Sequence, residues 1–278
     1  MKPAKRAAIN SSANHVFDIL RTVSNDAKPA GVSDISRRLS LTASSVFRAL
    51  TTLEATGYVS RYRNLPQFEL GTMPYLLNRA LLNRFEINAA SRPFLGEMAQ
   101  ETGETVSLNV RLGWYSLRIC GIYGSHDIYH RDRLGELAPL HESLGGRAIL
   151  AYLQEDDHLK MLEFLDETGA KKPAPAFWIQ FKDNSAEAKK TSFVVEDLPM
   201  SPGFSAVAMP VRDHTGAAIA SITINGPVFP SDKIAKLLLI RDNLEGLIAE
   251  SPKRFISPFA HIPANKIRLQ NNKSKLAL

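Results

Sequence analysis

The sequence predicts an α+β chain in two parts: a small N-terminal head of three helices closed by a β-hairpin, and a larger C-terminal α/β body. Three observations carry that expectation. The chain has 278 residues, and at about 150 residues per domain this suggests two domains. Apolar residues recur with helical spacing through residues 14–53 and with strand-like alternation over roughly 105–112 and 115–123. Charge is segregated. Residues 1–75 hold ten Lys or Arg against five Asp or Glu, residues 251–278 hold six basic and no acidic side chains, and the overall +6 leaves the middle at −5. A basic head, an acidic body and a basic tail hint at a polyanion-binding module joined to a module with another task. Charge asymmetry is common, so by itself it leaves nucleic acid undecided.

Composition closes several classes. A chain with 44% hydrophobic and 22% charged residues is globular, with real cores. No window approaches about 18 consecutive apolar residues, so no membrane-spanning helix is expected. The basic residues between Met1 and Arg6 are not followed by an apolar run, so no secretory signal is expected and the protein is read as cytoplasmic. The single cysteine, Cys120, leaves no internal disulfide and no cysteine-rich zinc site.

In the head, Val16, Ile19, Leu20 and Val23 mark one face of a helix over 14–23. Residues 24–31 read as a loop by composition. Ser33 is placed to cap a second short helix that buries Ile35 and Leu39, with Asp34 in its first turn. Thr42 is placed to cap a third, whose apolar face is Val46, Leu50 and Leu53 with Phe47 beside it. Gly57 stops it, as a glycine just past a helix end does. The second and third helices together have the length of a helix-turn-helix.

The face left exposed on the third helix is Ser44, Ser45, Arg48, Thr51 and Thr52, with no carboxylate before Glu54. Short hydroxyls and one guanidinium can approach base edges and phosphates without repulsion. An ordinary solvated face carries Glu and Lys instead. Tyr58 to Arg63 then alternates, Asn64-Leu65-Pro66 turns, and Gln67 to Leu70 returns. This is a hairpin with Arg61 and Arg63 on the face of Val59. A basic hairpin after such a helix is the wing of a winged helix, with arginines straddling the DNA backbone. The expected contacts to double-stranded operator DNA are Ser44, Ser45, Arg48, Thr52, Arg61 and Arg63.

The stretch from Thr42 to Val59 resembles the recognition helix and first wing strand of IclR-type transcriptional regulators. Phe68-Glu69-Leu70-Gly71 is similar to the Y-x-L-G that closes their wing. Ser36 and Ser40 stand where many helix-turn-helices carry Ala and Gly. Glu101 to Leu108 is similar to the family's T-G-E-T-v-x-L, and Pro139 to Ala151 to its P-L-H-x-x-x-x-G-K-A-x-L-A, with Arg147 for the lysine. Ala206 to Val211 and Ala218 to Pro227 resemble its two closing strands. The blocks run in the family's order over residues 13–250. The resemblance implies a winged helix and a GAF-like α/β domain that binds a small-molecule effector, and the apolar-rich stretch from Pro74 reads as a helix connecting them. It also implies self-association as dimers or dimers of dimers. The implied effector site is Leu144, Gly145 and Gly146 with Glu196, Ala206, Thr223 and Asn225. Glu196 is long enough to pair with a ligand hydroxyl or with an arginine such as Arg118.

Read from the residues alone, Leu144-Gly145-Gly146 lies between an extended segment and a helix beginning near Arg147. Glycines let a ligand approach the backbone, and free N–H groups at a helix start favour a carboxylate. A tight turn accounts for the same residues equally well. The P-loop pattern is missing. His126 and His130 are four apart, but in an extended segment that is about 13 Å, which disfavours a shared metal. Cys120, among Leu117, Ile119 and Ile122, reads as a small buried hydrophobe rather than a nucleophile. His141 reads as structural or pocket-lining. No nucleophile elbow, zinc-protease motif or dinucleotide fingerprint is present.

The expected organisation is a flexible N-terminus (1–12), a winged helix-turn-helix (13–73), a connector helix (74–90), an effector domain (91–250) and a basic, flexible tail (251–278). No catalytic residue, metal or cofactor is expected. The sequence reads as a ligand-responsive transcription factor. The alternatives are a small-molecule enzyme using Cys120 or His141 beside an accessory nucleic-acid module, or a winged-helix interaction module that binds no DNA.

Overall fold

The computed structural model describes residues 10–26, 28–125, 134–168, 172–197, 204–227, 229–251 and 255, and the chain divides into two units, Met1–Leu82 and Asn83–Leu278. In the first, Asn10 caps α1 (Ser11–Asn25), its side chain accepting from the Ala13 amide at 3.1 Å. β1 (Ala30–Gly31) runs straight into α2 (Val32–Leu39), and a turn leads to α3 (Ala43–Ala55). β2 (Val59–Arg61), a 3₁₀ turn (Tyr62–Asn64) and β3 (Gln67–Leu70) make the wing, followed by α4 (Met73–Leu82). The sheet order is β1-β3-β2.

Ile19, Val23, Ile35, Val46, Leu50, Leu53, Val59 and Phe68 form the buried core, so the helical faces read from the spacing point inward. Thr42 caps α3, accepting from the Ser45 amide at 3.3 Å. Gly57 takes a left-handed backbone (φ 76°) that lets the chain leave the helix. The two unusual serines are accommodated. Ser40 is itself left-handed (φ 53°), and the Ser36 hydroxyl ties the turn by donating to the Leu41 carbonyl at 2.5 Å.

Three details of the head differ from expectation. α2 begins at Val32 without a Ser33 cap, because Ala30 and Gly31 pair with Phe68 and Gln67 and hold the chain extended up to the helix. The wing strand ends at Arg61. Arg63 has φ 46° and rides on the turn, not on the face of Val59. Phe47 is 50% exposed, because it lies about 100° round the helix from the buried Val46.

The second unit begins with α5 (Glu86–Thr102), β4 (Val106–Leu112) and β5 (Tyr115–Ile122). β6 (Leu137–Pro139), α6 (Leu144–Leu150), α7 (Glu155–Thr168) and α8 (Pro175–Thr191) follow. β7 (Val194–Asp197), β8 (Phe204–Arg212), β9 (Ala218–Pro227) and α9 (Ser231–Glu250) complete it. The strands form one antiparallel sheet in the order β6-β5-β4-β9-β8-β7. α6 packs over β9 and β8. α5 and α9 pack on each other, α5 against β4 and β5 and α9 against β8.

The connector helix is shorter than the expected 74–90. α4 stops at Leu82, and residues 86–90 belong to α5. Phe85 lies between them, buried and outside helical geometry (φ −92°, ψ 86°), so burying its ring takes the chain out of the helix. Pro93 falls in the middle of α5. Residues 1–9, His126, His130 and the tail apart from Ser251 and Phe255 lie outside the described residues. Among the described residues, no helix is long and apolar enough to cross a membrane, and no cluster of His, Cys, Asp or Glu could hold a metal ion.

Candidate DNA-binding surface and effector site

Ser44, Ser45, Arg48, Thr51 and Thr52 are all exposed on α3. Their hydrogen-bonding capacity is partly spent. The Thr51 hydroxyl donates to the Phe47 carbonyl at 2.9 Å and the Thr52 hydroxyl to the Arg48 carbonyl at 3.1 Å. The Thr42 hydroxyl donates to Ser45 Oγ at 2.8 Å. Arg48 has no ion-pair partner among the described residues. The cations of α2 are compensated, Arg37 by Asp34 and Arg38 by Asp26 and Asp34. The hydrogen bond from Arg38 to Asp26 raises that guanidinium above its ordinary range, so it keeps its charge and its partner.

The two wing arginines differ. Arg61 reaches back to α3, its Nε donating to Glu54 at 3.0 Å while its guanidinium lies over Phe68 at 5.1 Å. Arg63 lies over Tyr62 at 5.1 Å and has no ion-pair partner among the described residues. Arg61 is matched by a carboxylate and Arg63 is not.

In the body, strand register assembles a second constellation. Ser107 lies opposite Thr223, Asn109 opposite Ser221, and Ala206 between Glu196 and Asn225 on its two neighbouring strands. Side chains alternate along a strand, so these residues share the sheet face under α6. That face is polar yet buried: Ser107, Asn109, Ser221 and Thr223 are all 6% exposed or less. Asn109 Nδ2 donates to Thr223 Oγ1 at 3.2 Å, and Arg118 Nε donates to Asn109 Oδ1 at 3.4 Å. Ser221 Oγ is buried with no hydrogen-bond partner among the described residues. The opposite face carries Val106, Leu108, Val207, Met209, Ile222 and Ile224, all fully buried.

Leu144, Gly145 and Gly146 are the first turn of α6, not a loop before it. Ser143 caps the helix, accepting from the Gly146 amide at 3.0 Å, so that donor is already occupied. A Cβ on Gly145 would lie 2.8 Å from both Asn109 Nδ2 and Ser221 Oγ, and one on Gly146 would lie 2.3 Å from the Leu140 carbonyl oxygen. Gly145 lets α6 press onto the sheet, and Gly146 lets its first turn close against the Leu140 backbone. Glu196 pairs with Arg147 rather than Arg118, which reaches Glu136 at 3.3 Å. β7 and β5 are four strands apart in the sheet, whereas α6 lies over the β7 end.

Beside this face is a pocket of about 430 Å³ whose lining includes Leu144, Arg147, Phe177, Phe181, Ser185 and Glu196. The Phe177 and Phe181 rings stack at 5.5 Å and 12°, and Ser185 Oγ is buried without a partner among the described residues. Of the expected effector residues, Leu144 and Glu196 line this pocket. Gly145, Gly146, Ala206, Thr223 and Asn225 do not. They belong to the first turn of α6 and the sheet face beneath it. Cys120 is 3% exposed, with Arg92 Nη1 3.5 Å from its sulfur. His141 is 5% exposed and edge-on to Phe177 at 6.0 Å.

The IclR helix-turn-helix family model matches residues 12–62, and the bacterial transcriptional regulator IclR C-terminal model matches residues 79–234, more than half of the chain. The chain belongs to the IclR family of bacterial transcriptional regulators. It is 25% identical over 212 residues to the HTH-type transcriptional repressor AllR of Escherichia coli (strain K12), covering 75% of this chain and 77% of AllR. The AllR of Klebsiella pneumoniae is 26% identical over 216 residues, with the same shares covered. Thermotoga maritima IclR superimposes with a TM-score of 0.67 at 24% identity, over 88% of this chain and 99% of that one. An IclR homolog complexed with 4-hydroxybenzoate, from Microbacterium hydrocarbonoxydans, gives a TM-score of 0.69 at 20% identity, over 84% and 98%. These two likenesses establish a shared fold.

As an IclR-family regulator, the chain combines a winged helix-turn-helix head with a GAF-like α/β body. Sequence reasoning did not single out Asn109, Ser221, Arg147, Phe177 or Phe181 as site residues. For the first two a signal was present. Ser107 and Asn109 on β4, and Ser221, Thr223 and Asn225 on β9, are polar at every second position of strands otherwise apolar. In a sheet covered on both faces, such a stripe marks a buried polar surface.

Proposed function

We propose that this IclR-family regulator binds a pseudo-palindromic operator, and that a small organic effector held in its body biases that binding. The observation that carries the reading is the outer face of α3: hydroxyls, an unpaired guanidinium and no free carboxylate, with Glu54 already bound to Arg61. Arg48 is the base-reading cation, Arg63 positions the head on phosphate, and Ser44, Ser45 and Thr52 line the approach.

The effector reading rests on the buried polar sheet face and the adjoining pocket. A small aromatic or carboxylic acid suits both. Its carboxylate replaces Glu196 at Arg147, and its ring packs on Phe177 and Phe181. The neighbour crystallised with 4-hydroxybenzoate supports that chemistry, and the AllR repressors support a role in repression. Response to the effector is its difference in affinity between operator-bound and free protein. Self-association, as a dimer or dimer of dimers, is supported by α4, where Tyr75, Leu76 and Leu77 are 72%, 51% and 51% exposed. We read the protein as cytoplasmic and without enzymatic turnover.

The test starts with gel shifts of DNA upstream of its own gene. A thermal-shift screen of small organic and aromatic acids follows, since a ligand that binds only the native state raises its stability by mass action. The ligand found is then titrated against the operator complex. Failure to shift any upstream DNA, with turnover of acyl or phosphoryl substrates, would favour the enzyme reading.

A further inference from the structure

We infer that Phe47 reads sequence, its ring packing on the C5-methyl group of a thymine in the operator's major groove. The inference rests on the DNA-binding reading of α3. Phe47 is 50% exposed on that helix. Ser44 and Thr51, three before it and four after it, flank it on the same face, and Arg48 is its neighbour. It is the one aromatic side chain on a surface otherwise made of short hydroxyls and a guanidinium.

Apart from the Arg48 guanidinium, the donors there are short hydroxyls held close to the helix. The protons of Thr51 and Thr52 are spent on the Phe47 and Arg48 carbonyls. The groups that reach furthest from the helix are therefore a cation and an apolar ring. In the major groove every base edge offers hydrogen-bonding atoms, and thymine alone adds a methyl group. A phenyl ring cannot repay the desolvation of a polar edge, but it gains from covering a methyl. The partner is set by charge complementarity. Asp34 is held by Arg37 and Arg38 and Glu54 by Arg61, so among the described residues the carboxylates of α2 and α3 are compensated and do not repel a polyanion.

The experiment selects binding sites from a random duplex library with the full-length protein, then replaces each thymine of the selected site by deoxyuridine in turn. At one thymine per half-site, losing the methyl should weaken wild-type binding about fourfold, the worth of one buried methyl group. Phe47→Ala should be indifferent to that replacement, and selection with it should lose the thymine preference there while keeping preferences elsewhere. Phe47→Leu, which keeps an apolar surface, should retain the preference. Melting temperature and sedimentation of both variants should match wild type. The inference is overturned if wild type tolerates deoxyuridine everywhere, or if Phe47→Ala pays the same penalty. It is also overturned if Phe47→Ala dissociates the oligomer, which would place the ring in a protein interface. A wild type that enriches no sequence would remove the DNA-binding reading itself.

Discussion

Replacing Glu54 by Gln should tighten DNA binding, and Arg61→Ala should do less harm than Arg63→Ala. Arg61 and Glu54 meet at 3.0 Å, with their side chains 39% and 33% exposed, so this guanidinium reaches DNA already matched by a carboxylate. Arg63 brings its charge uncompensated. Each phosphate neutralised contributes about 0.9 to the slope of log K against log salt. Between about 50 and 200 mM salt that is about 0.5 log unit per contact, or ~0.7 kcal/mol. Arg63→Ala should flatten the slope by about 0.9 per head, hence about 1.8 for a dimer on two half-sites. Arg61→Ala should flatten it by clearly less. Glu54→Gln should steepen it, because the released Arg61 then counts as a full contact, and adding Arg61→Ala should abolish that gain. The fold should tolerate all of these, since an exposed ion pair is worth about 0–1 kcal/mol. Fluorescence anisotropy with a labelled operator duplex across a salt series reads every slope. Equal flattening by Arg61→Ala and Arg63→Ala, with Glu54→Gln silent, would refute the reasoning: the pair would open on DNA and the two arginines would act alike.

Arg48→Ala should remove sequence-specific operator binding, at about 1–3 kcal/mol per half-site, with the melting temperature unchanged. Normal operator affinity at physiological salt would withdraw α3 as the reading helix. Thr223→Val takes away the nearer of the two acceptors of Asn109 Nδ2, leaving the Ser221 carbonyl at 3.5 Å, so the body should lose about 1–3 kcal/mol of stability and its effector response while the head still binds DNA. A response at wild-type effector concentrations would mean that the ligand is held in the pocket of Arg147, Phe177 and Phe181 without reaching the sheet face. Gly146→Ala drives a Cβ to 2.3 Å from the Leu140 carbonyl oxygen. It should cost about 1–3 kcal/mol of overpacking and lower the thermal transition, and an unshifted transition would mean that α6 and the Leu140 turn can move apart.

The head was the legible part. Val46, Leu50 and Leu53 fix the buried side of α3 by spacing alone, and Thr42 and Gly57 mark its ends with residue types whose chemistry is local. The misses there are non-local. A two-residue strand such as Ala30–Gly31 has no periodicity to read and exists only by pairing with residues 67–68. Phe47 is apolar, and spacing cannot tell an apolar residue at the margin of a helix face from one within it. In the body, the likeness of Pro139 to Ala151 located α6 but not its partners. Glu196 and Arg147 are 49 positions apart, and their pairing depends on strand order. The glycines at 145 and 146 fitted either a ligand or a tight turn. Only three-dimensional neighbours could separate the two.

Among the described residues, Glu196 also stands on the outermost strand at its end of the sheet, where Val195, Glu196 and Asp197 are all exposed. A bare strand edge is a template on which another chain can lay a strand of its own, and charged side chains are the usual guard against it. β7 opens with two valines and closes with two acids, so the carboxylate that holds Arg147 is also half of that guard. Retuning ligand preference by neutralising Glu196 would leave Val194 and Val195 with a single acid beside them. A sensor built on this scaffold by mutating that position would have to be checked for strand-to-strand aggregation before a lost signal is read as lost recognition.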